Sequence, residues 1–148
     1  MDQVRRILLL GGMAAAVLSG CGAPPALQVN AQGTELMNPG PDGSGRPLTL
    51  SVVQMRGTAA FDAADFFALQ DPQAALAADL VKTEQIALAP GGTASRLIAI
   101  EEGVTTVGFV AGFRDPAGKV FRVKIPAPTG PETVRVEVSE RGISITPE

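Results

Sequence analysis

The chain has 148 residues, a formal net charge of −3, a single cysteine, and no histidine, tryptophan or tyrosine. Without histidine or a second cysteine, ordinary zinc sites, Ser-His-Asp and Cys-His nucleophile systems and an internal disulfide framework cannot be built. A weakly acidic chain with no basic cluster is also a poor match for nucleic acid.

The first element is an export signal. Arg5 and Arg6 precede an apolar run from Ile7 to Leu18, followed by Leu18-Ser19-Gly20-Cys21. A charged start, a short apolar centre and small residues at a cut site form that pattern. Twelve helical residues reach only about 18 Å, too short for a hydrocarbon core of about 30 Å. Leu18, Ser19, Gly20 and Cys21 resemble the lipobox of bacterial lipoproteins. The resemblance implies cleavage before Cys21 and acylation of its thiol, with no other cofactor expected. An ordinary secretory signal with a stray cysteine is the competing reading. Gly22 follows the cysteine where an aspartate would signal inner-membrane retention in the enterobacterial pattern. That resemblance implies the outer membrane, with the domain facing the periplasm.

Cleavage leaves ten Lys and Arg against fourteen Asp and Glu, and a length that suits one domain. Residues 21–26 read as a lipidated tether and 27–148 as one folded domain. Leu27, Val29 and Ala31 alternate as in a first strand. The stretch from Asn38 to Pro47 is too dense in proline and glycine for a regular element and reads as a long loop. Long loops on a rigid scaffold are where binding concentrates, and Asp42 and Arg46 are its charged candidates. Leu48 to Met55 reads as a strand with Leu48, Leu50 and Val52 on one face.

The pattern then becomes helical over about 61–81. Asp62 is a candidate N-cap for a helix reaching Leu69, with Phe66 and Phe67 as core residues, one of them open to partial exposure. Asp71-Pro72 is a second helix start, with Leu76 and Leu80 on one face. Strands resume at Glu84 to Leu88 and Ser95 to Ile100, around a hairpin-like Ala89-Pro90-Gly91-Gly92 turn. In Thr105 to Phe113, Val107, Phe109, Ala111 and Phe113 share one side. Gly108 and Gly112 share the other, predicting close approach of another group there. Phe121, Val123 and Ile125 alternate with outward Arg122 and Lys124; Val134, Val136 and Val138 repeat the scheme before a final strand from Ile143. These are about eight short alternating strands, which suits antiparallel sheets packed as a mainly β sandwich with a small inserted helical lobe.

Catalysis finds little support. Asp62, Asp65, Glu101 and Glu102 are the only candidates for paired carboxylates, and each fits a cap, a helix surface or a charged turn. Asp115-Pro116-Ala117-Gly118 fits a turn better than a calcium loop. The expectation is a protein that is not an enzyme and holds no metal.

The order of landmarks resembles a known family. A lipobox precedes a strand, an Asn-Pro loop, a strand ending Gln54-Met55, a Phe-x-x-x-Asp-Phe-Phe-x-Leu segment (Phe61 to Leu69), an Asp-Pro-x-x-x-Leu segment, an Ala-Pro-Gly-Gly turn, and Val107 to Asp115. Together these are similar to the TssJ lipoproteins of type VI secretion systems, also called SciN or VasD. The resemblance implies a transthyretin-like β-sandwich. It also implies an outer-membrane lipoprotein that binds the periplasmic C-terminal region of the inner-membrane protein TssM, with TssL in the same complex. The loop implicated in that contact corresponds here to Asn38, Pro39, Asp42, Gly43 and Arg46. An unrelated periplasm-facing lipoprotein holding a small ligand between its sheets is the alternative.

Overall fold

A computed structural model describes residues 22–148. Residues 1–20, read above as an export signal, and with them Leu18, Ser19, Gly20 and Cys21 lie outside the described residues. Eight strands follow in chain order: β1 (Ala26–Gly33), β2 (Leu48–Met55), β3 (Leu80–Leu88), β4 (Thr93–Ala99), β5 (Thr106–Ala111), β6 (Arg122–Pro126), β7 (Pro131–Ser139) and β8 (Gly142–Pro147). They form two four-stranded sheets, β4-β1-β7-β8 and β3-β2-β5-β6. Leu27, Val29, Leu50, Val52, Val107, Phe109 and Val136 interleave between the sheets in one apolar cluster. The alternation seen in the sequence is the inward face of each strand.

One pairing departs from the antiparallel expectation. β1 runs parallel to β7, with Val29 opposite Val134 and Ala31 opposite Val136. A parallel pair needs a long connection, and here nearly the whole domain lies between the two strands. The Ala89 to Gly92 turn also differs from the expected hairpin. β3 pairs with β2 in one sheet and β4 with β1 in the other, so this turn carries the chain between layers. Gln54 secures the next crossing. Its amide is 1% exposed, donates to Ala99 O at 3.0 Å and accepts from Glu101 N at 2.8 Å. A buried amide bonded at both ends offsets the cost of its desolvation and so fixes this crossing.

The helical lobe lies on the outer face of the second sheet. It is built from α1 (Ala59–Ala63), α2 (Pro72–Leu76) and two short 3-10 turns, Ala68–Gln70 and Ala77–Asp79. Phe61, Leu69 and Leu76 pack there on Val53, Met55 and Val110, forming a second core. β2 is therefore buried on both faces over Val52 to Met55. Gly108 permits this contact: a Cβ there would sit 2.8 Å from Phe61 Cε2 and 2.9 Å from Val53 Cγ2. At Gly112 a Cβ would lie 3.2 Å from Gln70 Oε1. The expectation of close approach on the glycine face thus holds.

The lobe differs from its sequence reading in four ways. Thr58, not Asp62, occupies the N-cap of α1, and the helix ends at Ala63 instead of reaching Leu69. Asp62 sits inside it, its carboxylate 2.7 Å from Lys124 Nζ, and the hydrogen bond from that ammonium holds Asp62 below the ordinary aspartate range. Leu80 opens β3 instead of continuing α2. Arg122 and Lys124 point away from the sandwich core, as read, but both reach the lobe: Arg122 is half-buried against it, and Lys124, still exposed, pairs with Asp62. Arg122 donates to Phe61 O at 2.7 Å, to Asp62 O at 3.2 Å and to Ala64 O. Its guanidinium also lies 5.9 Å from the Phe61 ring and 5.4 Å from that of Phe121. The end of a helix leaves carbonyls unpaired, and a fixed cationic fork is well suited to them. Asp71 caps α2 as expected, accepting from Ala74 N.

Arg122→Ala should cost about 2 kcal/mol, since three carbonyls lose a charged donor. Hydrogen exchange should then rise across residues 59–76 while β1 and β7 stay protected. Equal loss of protection in β1 would contradict a local clamp.

Candidate partner-binding pole

The sandwich has two poles set by strand direction. At one, the described chain enters the sandwich from residues 22–26, the stretch read above as a tether: Ala26 N donates to Gly130 O and Ile100 N to Pro25 O. β1 then runs eight residues, about 25 Å at the usual rise, to Gly33 at the other pole. There lie the 34–47 loop, the 89–92 turn, the 112–121 connection and the β7–β8 turn. Thr34 N donates to Val138 O, and Gly91 N to Thr34 O, which joins the start of the 34–47 loop to the end of β7 and to the 89–92 turn.

The loop has a fixed shape. Gly43 takes φ +79°, open to glycine, and its N–H donates to Gly40 O at 2.9 Å. Gly40 N donates to Ser44 O, and Arg46 N to Met37 O. The Asp42 carboxylate accepts from Ser44 N at 3.2 Å, Ser44 Oγ at 2.8 Å and Arg46 Nη2 at 3.1 Å. These bonds, the Ser44 hydroxyl foremost, hold Asp42 below the usual carboxylate range. Arg46 lies across Gly40, where a Cβ would meet its Nε at 2.8 Å. Gly45 packs against Glu35 O and Pro90, so the loop rests on the 89–92 turn. A loop of this composition would be floppy without such bonds.

The five loop residues singled out in the sequence divide into two groups. Asp42, Gly43 and Arg46 are exposed at the tip, where they can meet a partner. Pro39 is half-buried. Asn38 is 4% exposed and takes φ +47°, with Nδ2 donating to Pro47 O at 2.9 Å and Oδ1 accepting from Arg114 N at 2.7 Å. It closes the base of the loop and ties it to the connection that follows β5, so its side chain faces inward. The aromatic pair also divides: Phe66 is buried and Phe67 is 77% exposed, so the reading with one ring exposed applies and the reading with both in the core does not. The chain is extended at Ala64 and then turns tightly, Leu69 N donating to Asp65 O, so that Phe66 falls on the core side of this turn and Phe67 on its solvent side. Among the described residues no group of three His, Cys, Asp or Glu is placed to hold a metal ion.

The profile of the family described as Type VI secretion lipoprotein, VasD, EvfM, TssJ matches residues 25–141. The chain belongs to this family. Among solved structures, its fold is similar to the type VI lipoprotein TssJ1 of Pseudomonas aeruginosa at 26% identity and TM-score 0.79, covering 84% of this chain and 97% of that one. It is also similar to Serratia marcescens Lip, a membrane-bound component of the type VI secretion system, at 21% identity and TM-score 0.77, covering 83% and 98%. A third likeness, at 22% identity and TM-score 0.68 over 84% and 99%, is to a chain in the structure described as the TssM C-terminal domain from EAEC. No curated protein sequence matches the chain significantly. The two-sheet sandwich with its small lobe is thus the fold of the type VI secretion lipoproteins, as the landmark order implied.

In this type VI lipoprotein, Asn38→Ala should cost about 1–3 kcal/mol, because the Arg114 N–H loses its buried acceptor. Proteolysis should then cut the 39–47 stretch first. A variant that keeps wild-type stability and a protected loop would contradict the clamp.

Proposed function

We propose that this protein tethers a TssM-like inner-membrane protein to the outer membrane. Acyl chains on Cys21 fix one end in the membrane, residues 21–26 give reach, and the far pole captures the partner's periplasmic C-terminal region. TssL belongs to the same assembly, and the role involves no catalysis and no cofactor beyond the covalent lipid. The observation that carries this reading is the separation of the tether entry from the 34–47 loop by the full length of β1. Lipid attachment at one pole leaves the other directed into the periplasm. Family membership supports the secretion role, and the likeness to a chain in a TssM structure supports the choice of partner.

The small-ligand alternative has less behind it. Inner-face side chains of both sheets form one continuous cluster. A groove of about 810 Å³ opens at the tether pole, beside Ala26, Ile125, Ala127 and Ile145, away from the ordered loop.

Residues 23–148 should pull down the periplasmic region of the TssM-like protein from the same organism. Asn38 and Pro47 stand close enough for a short bridge, so replacing 40–46 by Gly-Gly-Ser should keep the fold and lose capture. Unchanged capture would contradict the loop assignment. Cys21→Ser should still bind in solution, yet leave the membrane fraction and stop secretion; full secretion would contradict anchoring.

A further inference from the structure

Phe67 is a large apolar side chain presented to solvent on a rigid mount. Its ring meets that of Phe66 edge-on at 5.4 Å, and Phe66 meets Phe121 in the same way at 5.2 Å. The backbone on either side is pinned: Ala68 N donates to Asp65 Oδ1 at 2.8 Å, and Gln70 Nε2 donates to Phe66 O at 3.0 Å. An aromatic held this way loses little conformational freedom on binding, which is the property of an interface anchor.

The segment that carries it holds one sign of charge. Residues 58–79 contain Asp62, Asp65, Asp71 and Asp79 and no lysine or arginine. Asp62 is matched by Lys124. Asp65 and Asp71 are exposed and accept backbone N–H groups, and among the described residues no cation lies in ion-pair range of either. A complementary surface has an apolar pocket with a basic rim.

This turn is continuous with the far pole. Gln70 packs on Gly112, whose N–H donates to Thr49 O, and Arg114 two residues on donates to Asn38 at the base of the loop. We propose that Phe67, flanked by Asp65 and Asp71, is a second anchor of the partner surface. It inserts into an apolar pocket rimmed by lysine or arginine on the captured protein. This rests on the reading that the far pole captures a TssM-like protein.

The test is affinity of the full-length lipoprotein in detergent for that protein's periplasmic region, with melting midpoints measured in parallel. Phe67→Ala should weaken binding about 30-fold at an unchanged midpoint, as a hot-spot residue does. Phe67→Leu should keep most of the affinity. Asp65→Asn with Asp71→Asn keeps the turn acceptors and should slow association about 10-fold at low salt, with the difference fading at high salt. Wild-type affinity in Phe67→Ala alongside failure of the 40–46 replacement would overturn this anchor and leave the capture reading standing. Loss of affinity that tracks a lower midpoint would also overturn it. No binding by the wild-type protein would overturn both.

Discussion

β1 is hydrogen-bonded on both sides, antiparallel to β4 and parallel to β7, and cannot turn back within the sheet. The chain that enters at Ala26 must therefore emerge at Gly33, about 25 Å away. Everything proposed for the protein depends on that one-way passage. It separates the end nearest Cys21 from the loop that follows β1, and the inward row of Leu27, Val29 and Ala31 makes the passage part of the core. A β1 displaced from the sheet would cost the sandwich its centre, not only its tether.

The second sheet is stiffened differently. Its outer face is covered by a lobe whose helices are each only five residues long, too short to persist alone. They hold because Phe61 sits in the space left by Gly108 and because Arg122 takes up the carbonyls at the end of α1. That same side chain lies against Phe121, and Phe121 supports Phe66 and so the turn that presents Phe67. Packing of the lobe and exposure of its aromatic are one arrangement.

Much of this was legible in the sequence. Period-two alternation located all eight strands, and Leu48–Met55 coincides with β2 to the residue. Gly108 in β5 and Gly112 just beyond it announced a close approach on that face, without saying that the lobe makes it. Pairing was harder to read. Alternation says which face is inward but not which strand is the neighbour, so the parallel β1–β7 contact and the sheet-changing 89–92 turn were not visible. Helix limits were blurred because Asp62 fits a cap as well as it fits an ion pair with Lys124. In the loop, composition gave the turns and the candidates. It could not distinguish Asn38, which closes the loop from inside, from Asp42 and Arg46, which face out. That difference depends on Pro47 and Arg114, the second distant in sequence.

The claim that the two poles divide the work is tested most directly by photo-crosslinking in living cells. A benzoyl-phenylalanine placed at Ser44, exposed on the loop, should crosslink to the TssM-like protein. The same group at Thr129, exposed at the tether pole, should not. Crosslinks from Thr129 with none from Ser44 would place capture beside the membrane anchor and contradict the account.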